Sequence, residues 1–138
     1  MGRRRKAREV VLQALYAQAI NGEPLKSVVK DQLSRFDYDE EVKGFVRRLA
    51  GKVDEEKEAL DRVIAERATN WDLGRIALID KLILRMGLCE LLHFPDVPCK
   101  VCINESIEMA KKFSSSDAKR FVNGILDSVY KGQVLKEK

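Results

Sequence analysis

From Leu73 to Phe94, apolar side chains fall on almost every face of a helix, and the rest of the chain has to cover them. Ile76, Leu78, Ile79, Leu82, Ile83, Leu84, Met86, Leu88, Leu91 and Leu92 leave only scattered polar positions. A helix apolar on most faces needs neighbours on several sides and belongs at the centre of a molecule. It is not a membrane span. The longest uncharged apolar run, Ile76 to Ile79, is far short of the ~20 residues a spanning helix needs.

Amphipathic helices surround this segment in the sequence. Ala7, Val10, Val11, Ala14 and Leu15 follow helical spacing from Ala7 to Ala19, and Asn21-Gly22 with Pro24 beyond is a helix stop. Val28, Val29 and Leu33 form a short second helix. A long third helix runs from Asp39, its cap, to about Arg67. Gly44 and Gly51 inside it each cost ~1 kcal/mol against alanine, which points to close helix crossings. Pro95 and Pro98 frame a loop, after which Ile103, Ile107, Ala110 and Phe113 share one helix face. Ser114 followed by Asp117 approximates a capping box for the last helix. That helix carries Ala118, Phe121, Val122, Ile125, Leu126 and Val129 on one stripe. The stripe passes through Asn123-Gly124, so the helix continues there and Gly124 is expected at a close contact. No alternating strand pattern occurs. The expected fold is all-α, with six or seven helices in one domain spanning residues 1–138.

The charge is concentrated. Arg3, Arg4, Arg5, Lys6 and Arg8 precede the first acidic residue, Glu9; without those five, 21 basic residues face 22 acidic ones. A terminal patch on a near-neutral remainder is the electrostatic footprint of a polyanion partner, although such runs also occur as solvated termini. Tyr16 lies two turns beyond Arg8, and basic residues beside an aromatic suit single-stranded RNA, with guanidinium groups on phosphates and a ring on a splayed base. Lys119-Arg120-Phe121 at the start of the last helix is a second such cluster, with Phe121 also fitting the core stripe. No convincing cleavage site follows the basic start, so a mature cytoplasmic protein is expected.

Catalytic signatures are missing. There is no phosphate-binding glycine loop, nucleophile elbow or helical H-E-x-x-H motif. Cys89, His93, Cys99 and Cys102 have the spacing C-x3-H-x5-C-x2-C. Four such ligands can complete a zinc site, but Cys89 sits in the most apolar segment, where a thiol behaves as a small hydrophobe. The expectation is no metal, no cofactor and no enzymatic activity.

The order and spacing of several motifs carry a resemblance. They are Arg3-Arg4-Arg5-Lys6-Ala7-Arg8-Glu9, Gln13-Ala14-Leu15-Tyr16, Trp71-Asp72-Leu73-Gly74-Arg75-Ile76, and Ile83-Leu84-Arg85-Met86 with Glu90-Leu91-Leu92. Further on stand Asp96-Val97-Pro98, Ile103-Asn104-Glu105, Ala110-Lys111-Lys112-Phe113 and the run Lys119 to Asp127. Together these resemble the NusB family of transcription antitermination factors over nearly the whole chain. The resemblance implies two three-helix subdomains packed at an angle. It also implies pairing with the ribosomal small-subunit protein NusE, binding of boxA RNA in nascent ribosomal RNA transcripts, and action within the antitermination complex of RNA polymerase. Arg4, Arg5, Lys6 and Arg8 match its arginine-rich RNA-binding element, and Arg3, which opens the run, is expected to bind RNA with them. Tyr16, Arg85, Lys119 and Phe121 match positions near the RNA. Asp80 matches an acidic partner-facing position, and Asp117 lies between the RNA and partner surfaces. Some family members self-associate, so the alternative is a homodimer or helical interaction module with an incidental basic terminus.

Overall fold

A computed structural model describes residues 2–68 and 76–134, apart from the side chain of Ser116. Six α-helices account for most of them: α1 (Arg3–Asn21), α2 (Leu25–Ser34), α3 (Glu40–Arg67), α4 (Leu78–His93), α5 (Cys99–Phe113) and α6 (Ser116–Val129). A π-helical turn, Tyr130–Val134, follows α6, and no strand occurs among the described residues. The chain divides into two compact units, Met1–Glu55 and Glu56–Lys138, with α3 supplying residues to both. No described helix is long and apolar enough to cross a membrane.

In the first unit the helix ends follow the local chemistry. Gly22 adopts φ 72°, and its N–H donates to the Gln18 carbonyl at 2.9 Å, closing α1 where Asn21-Gly22 marked a stop. Asp39 caps α3 as expected: its Oδ1 accepts the Val42 N–H at 2.9 Å. Glu40 and Glu41 in the first turn complement the helix dipole. Val10, Val11, Leu25, Val28, Val46 and Leu49 are among the buried residues here.

The second unit is built on α4, which packs against α5 and α6, while α5 and α6 pack on each other. Leu82, Ile83, Leu84, Met86 and Leu88 are at most 1% exposed, as an all-round apolar helix requires. The whole α6 stripe, from Ala118 to Val129, is buried, and the helix runs through Asn123-Gly124 without a break.

Several local expectations are corrected. The central helix begins at Leu78, because Ala77 is extended (φ −59°, ψ 142°); the expected start at Leu73 lies outside the described residues. The Ser114–Asp117 capping box does not form. Ser114 terminates α5, its N–H donating to the Ala110 carbonyl, and Ser115 is the N-cap of α6 without a side-chain cap. On α5 the buried stripe is Cys102, Ser106, Met109 and Ala110, with Ile103, Ile107 and Phe113 half-buried.

The glycines are redistributed as well. A Cβ at Gly44, Gly51 or Gly124 would meet nothing within 4 Å, so none of them marks a close contact. The close crossing is at Gly87, where a Cβ would stand 2.5 Å from Ser106 Oγ and 3.1 Å from Leu126 Cδ1. Ser106 Oγ is held in place by donating to the Cys102 carbonyl at 2.9 Å. Gly87→Ala is therefore expected to destabilise by about 1–3 kcal/mol through overpacking. Gly124→Ala, in open space on a helix, should stabilise by roughly 0.5–1 kcal/mol. Thermal melts should shift in opposite directions, and a shared direction would contradict this placement of the crossing.

Candidate nucleic-acid interface

Helix α1 is formed from Arg3 onward, so the terminal cations stand on a helix rather than on a frayed tail. Gly2 is its N-cap, in extended conformation, and no acidic residue occupies the first turn. Cations at a helix N-terminus oppose the helix dipole, and an anion placed against them relieves that opposition. Part of the relief comes from within the unit. Arg3 Nε lies 3.1 Å from Asp39 Oδ2, and Arg3 Nη1 donates to Glu41 Oε2 at 2.9 Å. The two carboxylate oxygens of Asp39 thus divide their work, one capping α3 and one holding Arg3.

Arg4 and Arg8, one turn apart, place their guanidinium groups 4.8 and 5.4 Å from the centroid of the same ring, Phe45 of α3. Cation–π contact of this kind fastens the start of α1 to α3. It also separates the five cations into two groups. Arg8 is 3% exposed and is removed from the expected RNA-facing set. Arg3, Arg5 and Lys6 are exposed, and Arg4 is half-buried. Further along α1, Tyr16 is 45% exposed, which leaves its ring accessible rather than in the core.

The remaining expected contacts lie in the second unit. Lys119 and Arg120 are exposed in the opening turns of α6, beside exposed Asp117. Phe121 is 4% exposed and packs in the core, so its ring presents no face to a base. Arg85 forms a bidentate pair with Asp61, Nε to Oδ1 at 2.6 Å and Nη2 to Oδ2 at 2.9 Å. A fork–fork pair of this geometry is strong and directional, and it makes Arg85 a brace between α4 and α3. Asp80, in the first turn of α4, is 9% exposed, and its buried Oδ1 has no hydrogen-bond partner among the described residues. An unmet buried acceptor is costly, and a donor supplied by a partner would remove the cost.

The parts that Phe45, Asp61, Asp39 and Glu41 play in holding the cations escaped the sequence reading. For the last two a signal existed: Asp37 to Glu41 is the first cluster of acidic residues after the arginine run. Nothing in the sequence pairs Asp61 with Arg85. Cys89 and Cys102 are buried, with Cys102 Sγ 3.9 Å from the Val97 carbonyl, while Cys99 is half-buried. No group of three or more metal-ligating side chains occurs among the described residues.

Comparison with known proteins agrees with this arrangement of helices. The model of the NusB family matches residues 5–131. The transcription antitermination protein NusB of Dehalococcoides mccartyi is 42% identical over 128 residues, covering 93% of this chain and 90% of the relative. The structure of T. maritima NusB superposes with a TM-score of 0.87 at 33% identity, covering 97% of this chain and 94% of that one. A structure of the antitermination factors NusB and NusE in complex with double-stranded RNA shares the fold, with a TM-score of 0.84 at 22% identity over 95% and 98% of the two chains.

Proposed function

The chain belongs to the NusB family, and from that premise we propose that it is a non-enzymatic transcription antitermination factor. It binds boxA-type RNA as a complex with NusE and works in the antitermination complex of RNA polymerase, in the cytoplasm. The observation that carries this reading is the cationic start of α1, where Arg3, Arg5 and Lys6 are exposed on a helix end that lacks acidic residues. These three, with half-buried Arg4, follow the phosphates; such contacts position an RNA without reading its sequence. Lys119 adds a phosphate contact from α6. Tyr16 supplies the ring on which an unpaired base stacks. Arg8 and Arg85 act behind this surface, one holding α1 to Phe45 and the other bracing α4 through Asp61. Asp80, with its unmet acceptor, and exposed Asp117 face NusE. In this reading residues 1–138 are a single RNA-binding domain.

Titration of labelled boxA-type RNA, alone and with NusE present, tests this. Binding is expected in the presence of NusE and tighter than without it. No binding in either condition would leave a helical interaction module with an incidental basic terminus. Within the same assay Tyr16→Ala should weaken RNA binding by about 1–3 kcal/mol, the range for one lost stacked base. Its half-exposed ring makes little demand on folding, so an unchanged affinity would remove Tyr16 from the interface.

A further inference from the structure

On the first unit, α2 and α3 enclose a groove of about 680 Å³ that the RNA-binding reading does not use. Leu25, Val29 and Leu33 of α2, one helical turn apart, form its floor with Ala50 and Gly51 of α3. Two rows of cations rim it: Lys26 and Lys30 on α2, and Lys43 and Arg47 on α3. Asp54 is the acidic residue that lines it. Lys43 has Glu40 at 3.6 Å, but Lys26, Lys30 and Arg47 meet no carboxylate among the described residues. Arg35, Lys111 and Lys131 are each matched by one carboxylate and Arg3 by two, while Lys6, Lys119 and Arg120 likewise meet none among the described residues. Like charges rimming an apolar groove repel more strongly than they would in open water, and an anionic partner lowers that energy.

The groove is clear at Gly51: a Cβ there would meet nothing within 4 Å, as at Gly44 and Gly124.

We infer that this groove docks an acidic amphipathic helix of a partner protein. Its apolar face lies along Leu25, Val29 and Leu33, and its Asp and Glu side chains lie against the two cation rows. The floor residues span about 12 Å along α2, close to the roughly 10.5 Å between the first and last of the i to i+7 anchors of a docked helix. RNA suits the groove less well, because no aromatic ring lines it and bases would find no stacking platform.

The test uses the full chain and a labelled synthetic peptide of about sixteen residues, with leucines at i, i+4 and i+7 and glutamates on both flanks. Two variants report on the groove: Gly51→Leu, which fills it from a position with open space around the new side chain, and Arg47→Glu, which reverses an exposed rim charge. Circular dichroism confirms that each is folded. The peptide should bind the unmodified protein, bind each variant at least about tenfold more weakly, and lose binding when its glutamates become lysines. Affinity of Gly51→Leu for boxA-type RNA should be unchanged. Equal binding of the glutamate and lysine peptides, or full peptide affinity in Gly51→Leu, would overturn the inference. Loss of RNA binding in Gly51→Leu with no peptide binding to the unmodified protein would also overturn it, and would assign the groove to RNA.

Discussion

Phe121→Ala is expected to lower the stability of the protein by about 3–5 kcal/mol, the range for emptying an aromatic core site, and to leave the RNA affinity of folded molecules unchanged. The ring is 4% exposed and stands on the α6 stripe beside Ala118, Val122 and Ile125, all buried. Its neighbours Lys119 and Arg120 are exposed, so removing the ring deletes packing and keeps the local charge. Urea unfolding followed by circular dichroism measures the first part, and RNA titration of the folded fraction measures the second. Lost RNA affinity with intact stability would return Phe121 to the interface.

Leu84→Ala should cost about 2–5 kcal/mol. Leu84 is fully buried on α4, whose other faces are also covered, so the surroundings have little room to collapse into the space left behind. Against the 5–15 kcal/mol that usually holds a small protein together, a loss of that size moves the unfolding midpoint substantially. A change below ~1 kcal/mol would mean that α4 is not the centre of the second unit.

The helical faces were legible in the sequence because burial repeats with the period of the helix. Every α6 position chosen by spacing is buried. Where periodicity has no edge it cannot mark a boundary. An all-round apolar run looks the same before and after Leu78, and the extended Ala77 shows only in its backbone angles. The serine run was ambiguous for a different reason: it is shared between the end of α5 and the start of α6, so the capping residue sits one position later than the motif suggests. For the glycines, sequence reports the cost but not the neighbour. Gly87, inside the apolar run, drew no notice, yet it is the one pressed against Ser106 and Leu126.

The basic patch was legible as charge, but the way it divides was not. How each cation is held depends on partners distant in sequence. Phe45 takes Arg4 and Arg8, Asp39 and Glu41 take Arg3, and Asp61 takes Arg85. Phe121 suited both a stacking role and a core role by spacing, and its burial decides for the core.

The salt dependence of RNA binding tests the central claim most directly. Each phosphate held by a cation contributes about −0.7 to the slope of log K against log salt for a single strand. Contacts from Arg3, Arg4, Arg5, Lys6 and Lys119 should together give a slope of roughly −3 to −4. Replacing Arg3, Arg5 and Lys6 with alanine should reduce its magnitude by about 2 and weaken binding to all RNAs alike. Arg85→Ala should leave the slope unchanged, because that guanidinium is already committed to Asp61. The same slope in the triple variant as in the unmodified protein, or a flattened slope in Arg85→Ala, would contradict an RNA interface built on the start of α1.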